Sequence, residues 1–149
     1  MKPARVLLMM LGVLFVAIPA VFLVYETVRN PQVVQELRQD PTGERADKVM
    51  LLRLPSGREL PVNYLREGDR IYAGADGRWW KELEMGDAVV RVWVRGEEFE
   101  ARGRAVLDDP AYTKDVFSRL RPTALPGFGT LIEIRLNPLD TGGPNWAEE

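Results

Sequence analysis

At 149 residues, with 46% apolar residues and a formal net charge of −2, the chain has room for one domain of ordinary size and an additional segment. It contains no cysteine and no histidine, which excludes disulfides, thiolate zinc sites, thiol catalysis, Ser-His-Asp triads and His-ligated haem. The mild excess of acid gives no electrostatic footprint for nucleic acid, so none is expected as a partner.

The run from Val6 to Tyr25, VLLMMLGVLFVAIPAVFLVY, carries no charge and is flanked by Lys2 and Arg5 before it and Glu26 and Arg29 after it. At helical rise such a run spans roughly 30 Å, the hydrocarbon thickness of a bilayer. A cleaved signal peptide is the rival reading. Its apolar core would be shorter, and Ala17-Ile18-Pro19-Ala20 is a poor cleavage site followed by more apolar residues. The expectation is a single-pass N-terminal membrane anchor over residues 1–28. Lys2 and Arg5 favour an inside N-terminus, whereas Arg29, Arg38 and Arg45 on the other flank dilute that bias and leave the side of the domain open.

Residues 29–47 are polar and interrupted by Pro31 and Pro41, with Val33, Val34 and Leu37 at helical spacing. They predict a short amphipathic helix at about Pro31–Arg38, then a linker. From Lys48 the apolar period changes to two. KVMLLRL predicts a strand, PSGRE a turn with Gly57 where positive φ is cheap, LPVNYLR the hairpin partner and RIYAG a third strand. AVVRVWVR places Val90, Val92 and Val94 on one face, and EFEARGRAV does the same for Phe99, Ala101, Gly103 and Ala105. DPAYTKDVFSRLRP begins with an Asp cap and a first-turn proline and predicts a helix from Pro110 to about Arg121. GTLIEIRLN is a last strand with Ile132, Ile134 and Leu136 inward. The expected fold is therefore mainly β: a six-stranded antiparallel barrel over residues 48–138, closed by the last strand, with one or two short helices and a loose tail over 139–149. A core of this size is modest, which makes a homodimer an expectation as well.

Three stretches could carry chemistry. In RLPSGRE, Arg53 and Arg58 flank a Ser56-Gly57 turn whose N–H groups and hydroxyl could hold a phosphate; a plain hairpin turn with solvated arginines fits equally. In YAGADGRWWKEL, small residues leave space at a strand end, Asp76-Gly77 turns the chain, and Trp79 and Trp80 open a helix next to Arg78 and Lys81. A flat aromatic or anionic ligand suits that arrangement; so does a barrel end capped by one tryptophan with the other at a membrane interface. The carboxylates Glu82, Glu84, Asp87, Asp108 and Asp109 show neither metal-ligand nor acid–base spacing and are expected to be solvated.

The order SGR, NYLREGDRIYAGADG, WWKEL, two strands, a helix and a final strand resembles the deazaflavin-dependent nitroreductase and quinone reductase family, over roughly Val49 to Pro138. The resemblance implies a split β-barrel of the flavin-reductase type, a deazaflavin or FMN cofactor, and hydride transfer to quinone- or nitro-type acceptors. It implies cofactor contacts at Ser56, Gly57, Arg58, Gly77, Trp79, Trp80 and Lys81, and assigns no catalytic residue or metal. In departure from the family pattern, Glu82 stands where asparagine is usual, Leu60 where a second arginine is usual, and Leu54 and Pro55 at positions that tend to be basic. The alternative expectation is a non-catalytic barrel that binds a lipid, a small hydrophobe or a protein at the membrane.

Overall fold

The computed structural model describes residues 3–24, 30–124 and 127–137; the tail expected over 139–149 lies outside them. Six strands form a closed antiparallel barrel: β1 (Val49–Arg53), β2 (Glu59–Glu67), β3 (Arg70–Ala75), β4 (Ala88–Val94), β5 (Glu97–Val106) and β6 (Thr130–Leu136). β1–β2, β2–β3 and β4–β5 pair as hairpins, β3 and β4 are not neighbours, and β6, after α3, enters between β3 and β5 and joins them. The closing strand expected from the sequence is thus present. Around the ring the order is β1, β2, β3, β6, β5, β4, with β1 paired to β4.

The period of two fills the barrel. Met50, Leu52, Ile71, Ala73, Val90, Val92, Phe99, Ala101, Ile132, Ile134 and Leu136 point inward and form one core cluster. One end is plugged by the 3₁₀ helix Arg78–Leu83. Its Leu83 is fully buried over Gly103 of β5, where a Cβ would stand 3.4 Å from Val90 and 3.6 Å from Leu83. Trp79 and Trp80 are half-buried and pack against the same core. The tryptophans therefore close the barrel mouth.

Two patches of the outer wall are covered by helices. On one side α2 (Asn30–Gln39) and the 3₁₀ turn Glu44–Asp47 bury Leu37 and Ala46 against Leu51, with Val33, Val34 and Trp93 around them. Tyr64 reaches across from β2 to donate a hydrogen bond to the Ala46 carbonyl at 3.0 Å. On the other side α3 (Pro110–Leu120) lays Val116 on Tyr72, Val106 and Leu131. Asp109 caps it by accepting from the Tyr112 N–H at 2.9 Å, as the sequence predicts.

The N-terminal helix α1 (Pro3–Val24) runs for 22 residues with Pro19 inside it. Met9, Val13, Phe15 and Val16 are exposed on its surface. Counted over the described side chains, no helix is long and apolar enough to cross a membrane.

Because α2 is held to the barrel through a wholly buried leucine, Leu37→Ala is expected to cost about 2–5 kcal/mol of barrel stability. Urea unfolding followed at the tryptophans, one of which (Trp93) lies beneath α2, measures it. A loss below about 0.5 kcal/mol, the usual range for surface substitutions, would mean that α2 is a detachable spacer.

Candidate functional site

The β1–β2 turn is built from hydrogen bonds of its own. The Leu54 N–H donates to the Arg58 carbonyl at 2.9 Å and the Gly57 N–H to the Leu54 carbonyl at 2.8 Å, with Gly57 at φ +87°. The Arg58 N–H donates to the Ser56 hydroxyl oxygen at 3.4 Å. The remaining turn donor, the Ser56 N–H, is taken by the Glu82 carboxylate at 3.1 Å. Each N–H from Ser56 to Arg58 thus has a partner inside the chain, and the position an anion would take at Ser56 holds a carboxylate of the tryptophan helix.

The notch beside the small residues is filled in the same way. Arg121, at the C-terminal end of α3, lays its guanidinium flat on β3. It donates to the Gly74 carbonyl at 2.8 Å and grips Asp76 with two bonds, at 2.6 and 3.1 Å. Phe117 lies beneath it, with Cζ 5.7 Å from the ring centroid. A Cβ at position 74 would come within 2.6 Å of that guanidinium, so glycine there makes room for the protein's own cation.

The residues singled out by sequence are consequently divided. Arg58 lines a groove of about 550 Å³ between α2 and the start of β2, with Asn30, Pro31, Val34, Arg38 and Leu60. Gly57 lines a second groove of about 580 Å³, with Arg53, Glu82, Val89 and Arg91. Trp79 and Trp80 pack on the core, and the Lys81 ammonium lies 5.9 Å from the centre of the Trp80 ring. Gly77 precedes the tryptophan helix with extended backbone, and a Cβ there would make only ordinary contact with Trp79. Among the described residues no group of carboxylates could hold a metal ion.

Sequence reasoning missed Glu133. The alternation of β6 points it outward, where a carboxylate would normally be solvated, yet it is only 3% exposed. Tyr112 of α3 donates to Oε2 at 2.6 Å and Arg104 Nε to Oε1 at 3.1 Å; the Tyr112 and Tyr72 hydroxyls stand 2.9 Å apart. The available signal was a helix with an apolar face immediately before β6, which has to cover part of the strand's outer surface. Burial pushes the Glu133 carboxyl up. Its hydrogen bonds from Tyr112 and Arg104, together with the charges of Arg104 and Arg70, outweigh burial and hold it below the usual carboxylate range. Burial, then the bonds to Glu133 and Tyr72, push the Tyr112 phenol well up. Glu133 is covered by α3, and its bonds to Tyr112 and Arg104 latch the helix to the barrel.

The two shifts fix opposite limbs of a pH profile. Glu133 titrates lower when folded, so its stabilisation is present above about pH 4.3 and is lost as pH falls through the folded value. Tyr112 titrates higher when folded, so its contribution is present below about pH 10 and is lost as pH rises beyond it. Urea unfolding across pH is expected to show Glu133→Gln flattening the acid limb. Tyr112→Phe is expected to cost about 1.5–3 kcal/mol on the plateau and to flatten the alkaline limb. Unchanged limbs in both variants would remove the latch.

No protein-family model matches the chain, and no curated protein sequence matches it. Among solved structures, the chain is similar to a Listeria innocua protein assigned as a pyridoxamine 5'-phosphate oxidase, at 14% identity and a TM-score of 0.49, covering 62% of this chain and 88% of that one.

Proposed function

We propose that the chain is a membrane-tethered barrel that takes an amphiphilic ligand from the bilayer into the groove between α2 and β2. The observation that carries this reading is the position of the groove: Asn30 and Pro31, the first residues of α2, form its wall with Val34 and Leu60. The sequence offers the tether: the run from Val6 to Tyr25 carries no charge, and twenty residues at helical rise span about 30 Å. The stretch from Val24 to Asn30 spans at most about 20 Å, so the groove opens within that distance of the end of α1. Its volume, about 550 Å³, falls in the range of small-ligand sites, about 300–1,000 Å³. Pro31, Val34 and Leu60 offer apolar surface to an acyl or isoprenoid chain, and Arg38, paired with Glu59 at 2.9 Å, offers a polar rim to its head.

The second reading is the flavin- or deazaflavin-dependent reduction of quinone- or nitro-type acceptors that the sequence resemblance implies. The observation in its favour is the other groove, about 580 Å³, beside the Ser-Gly turn with Arg53 and Arg91 on its walls. Such a cofactor would supply the hydride chemistry, leaving binding and orientation to the protein. The residues as they stand do not fit a phosphate-bearing tail. Glu82 places a carboxylate in the groove wall and takes the Ser56 N–H, and Arg53 is bridged to Glu59 at 3.0 Å.

The two readings separate in one preparation, the full chain in phosphatidylcholine liposomes. With a diazirine-bearing acyl phospholipid, the leading reading expects crosslinks at Pro31–Arg38 and Arg58–Leu60 that disappear when Val34→Trp fills the groove. Crosslinks confined to α1 would sink it. With FMN or reduced deazaflavin, it expects no saturable quenching of tryptophan fluorescence in wild type or in Glu82→Gln. Saturable binding that tightens about tenfold in Glu82→Gln, the equivalent of about 1.4 kcal/mol, would establish the second reading.

A further inference from the structure

The outer surface of β5, β6 and β3 carries three arginines in one cross-strand row. Arg102 is the register partner of Arg135, and Arg135 is the register partner of Arg70. Partners on one face stand about 4.5–5.5 Å apart at Cβ, and like charges placed there repel. A fourth arginine, Arg104, lies two residues further along β5, opposite Glu133. The row lies open to solvent: the Arg70 side chain is 45% exposed and that of Arg135 61%.

The neighbouring carboxylates are committed elsewhere or outnumbered. The Glu133 oxygens are hydrogen-bonded by Tyr112 and Arg104, and Arg70 at 3.7 Å and Arg135 at 4.0 Å share the same carboxylate as looser ion pairs, with Arg70 also bonded to the Tyr72 and Tyr112 hydroxyls. Glu67, the partner of Arg70 on β2, is bound by Arg119 at 2.9 Å. Glu100, next along β5 from Arg102, faces Arg91. Arg102 itself donates to the Asp87 carbonyl at 3.3 Å. Three guanidinium groups thus share one carboxylate, and Arg102 beside them meets only a carbonyl, in a chain whose net charge is −2.

We infer that this row is a binding site for a phosphate-type oxyanion carrying more than one charge, with Arg70, Arg102 and Arg135 as its ligands. The planar donor fork of arginine matches phosphate oxygens, and the sheet fixes the spacing of the forks without help from a loop. A bound dianion relieves a repulsion that the folded chain otherwise bears. In the ring β6 stands opposite β1, the strand covered by α2. The row therefore lies across the barrel from the wall that α2 covers, and we take a soluble phosphate compound as its ligand, with bilayer headgroups as the competing source. The inference is independent of the groove under α2.

The test uses the full chain in phosphatidylcholine nanodiscs, titrated calorimetrically with inorganic pyrophosphate. Saturable binding is expected, weakened about tenfold by Arg135→Gln and by Arg70→Gln and falling steeply with salt. Arg45→Gln, on the α2 side, is expected to leave it unchanged. Arg70→Gln also removes a charge that holds Glu133, so a modest fall in Tm is expected for it alone. Arg135→Gln and Arg102→Gln are expected to keep or raise Tm, and a clear fall in either would identify the row as structural and overturn the site. A second arm offers phosphatidylglycerol vesicles. Capture of vesicles that Arg135→Gln abolishes, without pyrophosphate binding, supports the same phosphate chemistry with a lipid as its source. Absence of both, or binding that Arg135→Gln does not change, overturns the inference.

Discussion

Everything in this barrel depends on β6 pairing with β3 and β5 at once. Without it β3 and β5 are edge strands with open ladders, and the sheet is a twisted ribbon with one apolar face uncovered. Insertion of β6 satisfies both ladders and brings Ile132, Ile134 and Leu136 into the core. The strand can arrive only because α3 carries the chain from the end of β5 back across the outside. Glu133 and Arg121 fasten that return path. One is a buried carboxylate on β6 held by the first turn of α3. The other is a guanidinium from the end of α3 clamped to Gly74 at the end of β3 and to Asp76 just beyond it. Charge-assisted bonds thus secure α3 at both ends, to the closing strand through Glu133 and to β3 through Arg121.

The same economy of internal partners explains why the turn and notch that resemble a cofactor site are occupied by the chain itself. A Ser-Gly turn presents N–H donors and the glycine-lined strand end a carbonyl acceptor, and half-buried polar groups are costly when left unmatched. Glu82 matches the Ser56 N–H; Arg121 occupies the space that Gly74 leaves. Replacing Glu82 would free the Ser56 N–H for an external anion, whereas the notch at Gly74 presents acceptors, its carbonyl and Asp76, that call for a cation and receive Arg121. Glu82 alone therefore decides against an anion at the turn in this conformation.

Much of the barrel was legible because its signals are local. Alternation in β1, β4, β5 and β6, the glycine turn at Gly57 and the Asp109 cap each depend on a few neighbouring residues, and each is found where the sequence puts it. The inward set of β6 followed from period alone. What the sequence left hidden depends on register between distant segments. Glu133 is buried because α3 crosses over it; Arg121 reaches Gly74 across 47 positions, and Glu82 reaches Ser56 across 26. The ambiguity over Trp79 and Trp80 was of this kind too. Both a ligand wall and a barrel cap require aromatic surface next to small residues, and only the placement of Leu83 over Gly103 shows that the helix points its apolar side into the barrel.

The order of the elements also bears on how such a barrel is made. α2 comes before the strands in the chain and needs only β1, β2 and β4 to bury Leu37 and shelter Trp93. The α2 side of the domain can therefore assemble without β6, while β3 and β5 still wait for it. During that interval the open ladders and apolar faces of a long-range β topology are the aggregation hazard. The charges on the outer face of β5, Glu98, Glu100, Arg102 and Arg104, alternate with its apolar inner residues along the waiting edge. Charged residues on an edge strand oppose pairing with a second copy of the chain. When β6 arrives, Glu133 lands opposite Arg104. The closing strand then brings a buried carboxylate that Arg104 can pair with, while the same register sets Arg135 against Arg102 and Arg70, so the core, and not net charge, must select the register.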